Sequence, residues 1–280
     1  VTSPHDGVDT TPFDAMPPDT TLLDTAPLEV VGRIRAASNA TFLARVGEVS
    51  VVYKPVAGEK PLWDFPDGTL AAREVAAYLV SESLGWGIVP RTWLRDGPLG
   101  PGMVQLWQEV DATQSPVDVV PTGDAPQDGV RTVLEGVDEE DRPVSVVHED
   151  TPSLRRMAVF DAVVNNADRK GGHVLPLPDG RRLGVDHGVT FHVEPKLRTV
   201  LWGWLGESLD DDELAGVERV RASLGAGGGA APDGALGRRL AELLAPEEVT
   251  ALAERCDRLL GAARFPAPSG GMPALPWPLF

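Results

Sequence analysis

The alternation of apolar and polar positions changes character several times along the chain, and each change marks an expected element. Leu28-Glu-Val-Val-Gly-Arg-Ile, Phe42-Leu-Ala-Arg-Val46 and Val51-Val-Tyr-Lys-Pro55 are short β-rich runs separated by turn residues, which predicts an antiparallel meander. Thr69 to Gly85 has a Thr start, helix-favouring residues and a Gly stop, and so reads as a helix. Ile88 to Arg95 and Gly102 to Asp111 pair as a hairpin through Asp96-Gly97-Pro98. Beyond Pro152, the spacing of Leu154, Met157, Ala158, Phe160 and Val164 gives one apolar side and predicts a helix over Ser153 to Asn165. Leu175 to Gly180 reads as a hairpin turn, and Val185 closes a short apolar run of strand type. Three more helices are expected: Ser208 to Leu224, Gly234 to Leu244, and Pro246 to Arg264, the last with Val249, Leu252, Cys256, Leu259 and Leu260 on its apolar side.

These runs define an α+β chain of two lobes, β-rich over 28–111 and mainly helical over 153–265. Residues 1–27, rich in Pro, Thr and Asp, are expected to be a flexible tail. The acidic, Pro- and Gly-rich stretch over 112–152 reads as an inter-lobe insertion with a solvated loop at Gly136 to Arg142. The Gly-rich Gly225 to Ala230 reads as a flexible break, and 266–280 as a Pro-rich tail wrapping on the surface.

Composition narrows the partners. The net charge of −17 repels a nucleic-acid backbone or an anionic membrane, so neither is expected as a general partner. The one cysteine, Cys256, allows no intrachain disulfide and lies in a helical apolar pattern, where a buried structural role is expected. No apolar run reaches the ~18 residues of a membrane span. The N-terminus lacks the regions of a signal peptide, and its opening on Val1 reads as an alternative start codon or a trimmed end. A cytoplasmic monomer is the expectation.

The candidate chemistry centres on Phe160 to Gly188. Asp168 follows an apolar helical run in Asn165-Asn166-Ala167-Asp168-Arg169, and Asp186 follows a strand in Val185-Asp186-His187-Gly188. A helix, a polar loop, a hairpin and an acid before Gly is how kinase-type phosphotransferases place a proton-accepting Asp beside a metal-binding Asp. Upstream, strand alternation points Val52 and Lys54 to one face, and an inward lysine needs an anionic partner. Glu74, tilted toward the packed face of the Thr69 helix, can supply it. The small turn Ser38-Asn39-Ala40-Thr41 can face a phosphate with its N–H groups, or be a hairpin turn with no ligand. The backbone of Gln108, Glu109 and Val110 falls where a hinge would bind an adenine edge. Arg169, Lys196 and Arg198 are candidates for an anionic substrate, with ordinary structural or surface charge as the alternative. Trp202 and Trp204 read as core aromatics or as a site lining.

As a set these residues resemble a known superfamily. A helix carrying Asp161, then Asn166, Asp168 and Arg169, an acid before Gly after a short hairpin, a strand Lys and a helix Glu resemble the phosphatidylinositol 3-/4-kinase-like branch of the kinases, including the bacterial HipA-type kinases. More narrowly, AASNATFLARV, YKPVAGEKPLWDFPDGTLAAREVAAYLVSE, AVFDAVVNNADRKGGHVL and VDHGVTFHVEPKLRTVLWGW resemble an uncharacterised actinobacterial group of SCO-type PI3/4-kinase-like proteins. The resemblance runs from Gly32 to Trp204 and implies a two-lobed protein-kinase-like fold, ATP as cofactor, and Mg²⁺ or Mn²⁺. It implies Asp168 as the catalytic base, Lys54 as the phosphate-contacting lysine with Glu74 as its partner, Asp186 as a metal ligand, and Ser38 to Thr41 as the phosphate loop.

One departure concerns the metal. Five residues after the catalytic Asp such kinases carry a metal-ligating Asn, and here that residue is His173, a better ligand for Mn²⁺ or other transition metals than for Mg²⁺. The loop between Arg33 and Leu43 also has no glycine. The implied function is therefore phosphoryl transfer from ATP to an alcohol of a small molecule, such as an inositol phosphate, or of a protein Ser/Thr. A pseudokinase that binds nucleotide without turnover, and nucleotidyl transfer by the same fold, are the alternatives.

Overall fold

The structure, a computed structural model, describes residues 20–34, 39–66, 68–126, 128–225, 233–271 and 273–280. The tail expected over 1–19, Ser38 of the proposed phosphate turn and most of the Gly-rich break lie outside the described residues.

A five-stranded antiparallel sheet forms the N-terminal lobe: β1 (Leu28–Arg33), β2 (Phe42–Val46), β3 (Val49–Pro55), β4 (Thr92–Gly97) and β5 (Gly100–Leu106), in the order β1-β2-β3-β5-β4. Both predicted hairpin sets are present. Alternation sends Val51, Tyr53, Ala44, Val46 and Val104 into a small core on one face. Lys54 pairs across the ladder with Met103, and Met103 packs with Ala71 and Val75 of the helix α2 (Leu70–Leu84), so Lys54 shares the face that looks toward α2.

Residues 20–27 depart from the expected tail. Thr20–Thr25 forms the helix α1, Leu23 is buried in the sheet core, and the Arg95 guanidinium donates to Leu23 O (2.6 Å) and Ala26 O (2.8 Å). The apolar Leu23 anchors the segment, and its spent carbonyls are satisfied by an arginine 72 residues away in sequence.

The start of α2 also differs in detail from its sequence signal. The side chain of Thr69 makes no cap; instead Glu59 accepts from Leu70 N (3.1 Å) and Ala71 N (2.8 Å). Gly85 ends the helix at φ +77°, a left-handed conformation that glycine adopts without a Cβ penalty.

Between the lobes, 112–152 holds more structure than a loop. Strands β6 (Val117–Pro121), β7 (Val130–Val137) and β8 (Pro143–Glu149) form a separate antiparallel sheet in the order β6-β8-β7. The run Ser145 to His148 is buried, and His148 Nε2 accepts the Gly203 N–H at 3.0 Å, tying the sheet to the C-terminal lobe. Gly136 to Arg142 is the end of β7 and a turn that Asp138 closes by accepting from the backbone of Glu140 and Arg142.

The C-terminal lobe packs α3 (Pro152–Val164), the hairpin β9 (Val174–Pro176) and β10 (Arg182–Gly184), α4 (Asp211–Leu224), α5 (Ala235–Leu240) and α6 (Pro246–Ala262) around Met157, Phe160, Phe191, Trp204, Val217, Leu252 and Cys256. The α4 helix opens two residues later than its Ser208 signal, at a reciprocal Asp210–Glu213 capping box. Burial pushes the Cys256 thiol up to about 12, as suits a structural cysteine. No helix among the described residues is long and apolar enough to cross a membrane.

Candidate active site

Strand β3 and helix α2 bring the first two groups together. Lys54 Nζ lies 2.6 Å from Glu74 Oε1, and Glu74 is 2% exposed. The same ammonium lies 2.7 Å from Asp186 Oδ1, and the second oxygen of Glu74 accepts the His187 N–H at 2.8 Å. Burial alone would lower the Lys54 pKa, but Asp186 and Glu74 outweigh it and hold the lysine charged. Asp186 is held well below the usual carboxylate range, chiefly by Lys54. Its own backbone sits at φ +63°, a conformation that turns the carboxylate out of the strand direction of β10. Its side chain remains 48% exposed.

Asp168 is set by a network starting in α3. Asp161, fully buried, binds the Arg169 guanidinium (Nη2 to Oδ1, 2.9 Å), Asn166 Nδ2 (2.9 Å) and Thr199 Oγ1 (3.2 Å). Asn166 Oδ1 in turn accepts the Asp168 N–H at 3.0 Å. Burial, with Asp186 adding to it, raises the Asp168 carboxyl against the pull of Lys170, whose Nζ is 3.5 Å from Oδ2. A raised carboxylate within reach of a lysine suits proton acceptance from an alcohol.

His173 connects the two acids. Its Nδ1 is 2.9 Å from the Asp168 carbonyl, which only accepts, so Nδ1 carries the proton and Nε2 keeps its lone pair. That lone pair faces Asp186 Oδ2 at 3.4 Å. Burial pulls the imidazole down to about 4, so it is neutral near pH 7 and two acceptors face one another. A cation relieves that opposition. Among the described residues no three His, Cys, Asp or Glu side chains converge on a metal-sized point. Asp186 and His173 are thus the two side chains here that could share an ion, which would have to take the rest of its shell from phosphate and water.

Residues 107–111 join β5 to the C-terminal lobe, with Asp111 N donating to Pro176 O at 2.8 Å. The backbone N–H and C=O groups of Gln108, Glu109 and Val110 have no hydrogen-bond partner among the described residues. Glu109 and Val110 are exposed there, and Gln108 is half-buried.

Two expectations are corrected, and a third is narrowed. Arg169 is fully buried on Asp161, on His187 Nε2 (2.6 Å) and on the carbonyls of His173 and Val185, so it holds the loop and cannot meet a substrate. Lys196 is 3% exposed, paired with Asp64 at 2.9 Å and capped by the Trp63 ring, because a buried ammonium requires a counterion. In the proposed phosphate turn, Ala40 N donates to Gly58 O (3.1 Å) and the Asn39 side chain accepts from Lys60 N (2.9 Å), so both are spent on the 56–60 loop. Thr41 is buried, its hydroxyl 3.3 Å from Asn39 O. Arg198 alone of the three basic candidates stays half-buried with Nη groups that have no protein partner among the described residues, while its Nε donates to Ala167 O at 2.7 Å.

Two residues that hold the surrounding segments were not among the candidates. Asn165 ends α3 and holds the segment after Asp186 through its side chain, and Arg73 of α2 reaches Glu248 of α6 (2.6 Å) and Thr190 O (2.7 Å). A polar residue in the αL position after a helix was the available hint for Asn165.

No protein-family model matches the chain. The crystal structure of the Helicobacter pylori proinflammatory kinase CtkA gives a TM-score of 0.45 at 12% sequence identity, over 87% of this chain and 94% of that one. Protein Rv2133c of Mycobacterium tuberculosis is 49% identical over 266 residues, 90% of this chain and 92% of that protein. With that identity over nearly the whole of both chains, this protein belongs to the same family as Rv2133c.

Proposed function

We propose that this protein is an ATP- and metal-dependent phosphotransferase, a phosphatidylinositol 3-/4-kinase-like enzyme that moves the γ-phosphate to an alcohol. The observation that supports it most is the meeting of Lys54 Nζ with both Glu74 (2.6 Å) and Asp186 (2.7 Å), on a frame that His173 links to Asp168. A strand lysine braced by a helix glutamate is what phosphoryl transfer uses to hold nucleotide phosphates.

In this reading the adenine edge meets the backbone of 108–110 and Lys54 contacts the phosphates. Asp186 and His173 would hold a divalent ion, which would supply neutralisation of phosphate charge. Asp168 accepts the proton of the acceptor hydroxyl as its oxygen bonds to the γ-phosphorus and the bridging P–O bond breaks, releasing ADP. Arg198 would receive an anionic part of the acceptor, a reading supported by its half-buried guanidinium, whose Nη groups have no hydrogen-bond partner among the described residues. Soluble inositol phosphates and Ser/Thr side chains are the two acceptor classes to try. A second reading has a specific support: the direct Lys54–Asp186 ion pair and the histidine at 173 suit a pseudokinase that binds nucleotide without turnover.

The test is ATP turnover with Mg²⁺ and then Mn²⁺, following γ- and α-phosphate labels, beside Asp168→Ala and Asp186→Ala. Metal-dependent γ-label release or transfer abolished by both substitutions is expected. Binding without turnover would favour the pseudokinase, α-label transfer the nucleotidyl reading, and no nucleotide binding would remove the assignment.

A further inference from the structure

The segment after α6 runs back over the lobe to the loop that carries Asp168. Ala274 O accepts from Thr199 N (3.2 Å) and Trp202 Nε1 (2.9 Å), Leu275 and Leu279 pack on the main core, and Pro276 is buried. Leu279 O accepts the N–H of Gly171 at 2.8 Å. The Phe280 ring, 53% exposed, stands so close to Gly171 that a Cβ there would come within 2.3 Å of it. Gly171 begins the turn Gly171–His173. On one side of that turn Lys170 reaches Asp168, and on the other His173 reaches both Asp168 O and Asp186.

The segment therefore covers both halves of the support for Asp168. Arg169 N donates to Arg198 O (3.0 Å) and Val200 N to Arg169 O (3.1 Å), joining the loop to 198–200, and Ala274 and Leu279 bind the outside of each half. We infer that Leu279 and Phe280 are positioning residues of the catalytic loop, fixing the Gly171 turn so that Lys170 and His173 keep their places about Asp168 and Asp186. This rests on the phosphotransferase reading for its effect on rate, but not for its effect on the loop.

The test uses the full chain with Phe280→Ala, Phe280→Tyr, Gly171→Ala and the Phe280→Ala/Gly171→Ala double variant, read by hydrogen exchange over 168–173 and by steady-state kinetics. Phe280→Ala should speed exchange at Gly171 and lower kcat about tenfold with KM for ATP within about twofold, the mark of a displaced loop with an intact nucleotide site. Phe280→Tyr should restore both. Gly171→Ala should harm the Phe280→Ala background less than the wild type, since no ring then meets the new methyl. Unchanged exchange in Phe280→Ala overturns the inference, as does faster exchange or a lower melting temperature with kcat unaltered. If the wild type turns over no ATP, the phosphotransferase reading fails by itself, and the exchange arm still decides whether the segment fixes the loop.

Discussion

His173 Nε2 stands 3.4 Å from Asp186 Oδ2 with its other nitrogen committed to the Asp168 carbonyl. The tautomer and orientation of the imidazole are thus set by the protein itself.

If the proposed site holds an ion, this geometry predicts its metal preference. A neutral imidazole beside one carboxylate suits Mn²⁺ better than Mg²⁺, whereas an amide oxygen at the same place suits Mg²⁺. His173→Asn should raise Mg²⁺-supported turnover relative to Mn²⁺-supported turnover by roughly tenfold or more, on the scale set by changing one ligand's class. Titration calorimetry of nucleotide with each ion reads the same preference without turnover. An unchanged Mn²⁺ to Mg²⁺ ratio would remove His173 from the ion's shell.

The small sheet should give a separate acid response. His148 is buried against Trp204, accepts the Gly203 N–H on Nε2 and faces Glu149 O through Nδ1 (2.8 Å), with Asp150 and Arg131 nearby. Burial lowers its pKa below the usual value. The unfolded chain therefore binds the proton first as pH falls, so the stabilisation is complete above the unfolded pKa of ~6.5 and is lost as pH drops toward the folded value. Hydrogen exchange over 130–149 should rise between pH 7 and 5 while α6 stays protected. His148→Gln keeps an acceptor near Gly203 N and cannot titrate, so it should flatten that response.

Arg169 offers a test of structure against substrate binding. Its side chain and that of Asp161 are both fully buried, and removing one partner strands a charge. Arg169→Ala should cost about 3–5 kcal/mol of stability, seen as a lower urea midpoint. A variant with wild-type stability and a raised acceptor KM would return Arg169 to the substrate site.

Why the pattern revealed some of this and not the rest is a matter of range and burial. Lys54 and Glu74 were legible together because strand alternation turns the lysine inward and a helix with a marked start and stop supplies one acidic partner for it, whereas Asp186, its second partner, lies 132 residues away. Asp168 and Asp186 stood out as candidates because each comes within four residues of the end of a regular element, α3 and β10. Arg169 and Lys196 look like available cations until Asp161 and Asp64 are seen against them, and the second pair is 132 residues apart. The sheet of 117–149 was hidden by its many exposed positions, which leave β7 without a clean two-residue period. Phe280 on Gly171 involves a glycine and a distant aromatic, a contact for which no local periodicity exists.

Asn165 gives the last prediction, because two causes act at one position and can be separated. It caps α3 at φ +54°, donates from Nδ2 to His192 O (2.8 Å) and Glu194 O (2.6 Å), and accepts Lys196 N on Oδ1 (2.9 Å). One side chain thus makes three of the hydrogen bonds that hold the segment following Asp186, beside those of Arg73 to Thr190 O and Arg255 to His192 O. Asn165→Gly keeps the left-handed backbone free of strain and loses only the three hydrogen bonds, on the order of 2–4 kcal/mol together. Asn165→Ala loses the same bonds and adds about 1 kcal/mol for a Cβ in the left-handed region. Asn165→Asp keeps the bond from Lys196 N but sets a carboxylate against two carbonyls, and should be at least as harmful as Ala. Stability should fall in the order Asn, Gly, Ala, with faster exchange over 190–196 in each variant. If Asn165→Gly matches the wild type in exchange, the side chain is not what holds the segment, and the αL conformation alone accounts for the asparagine.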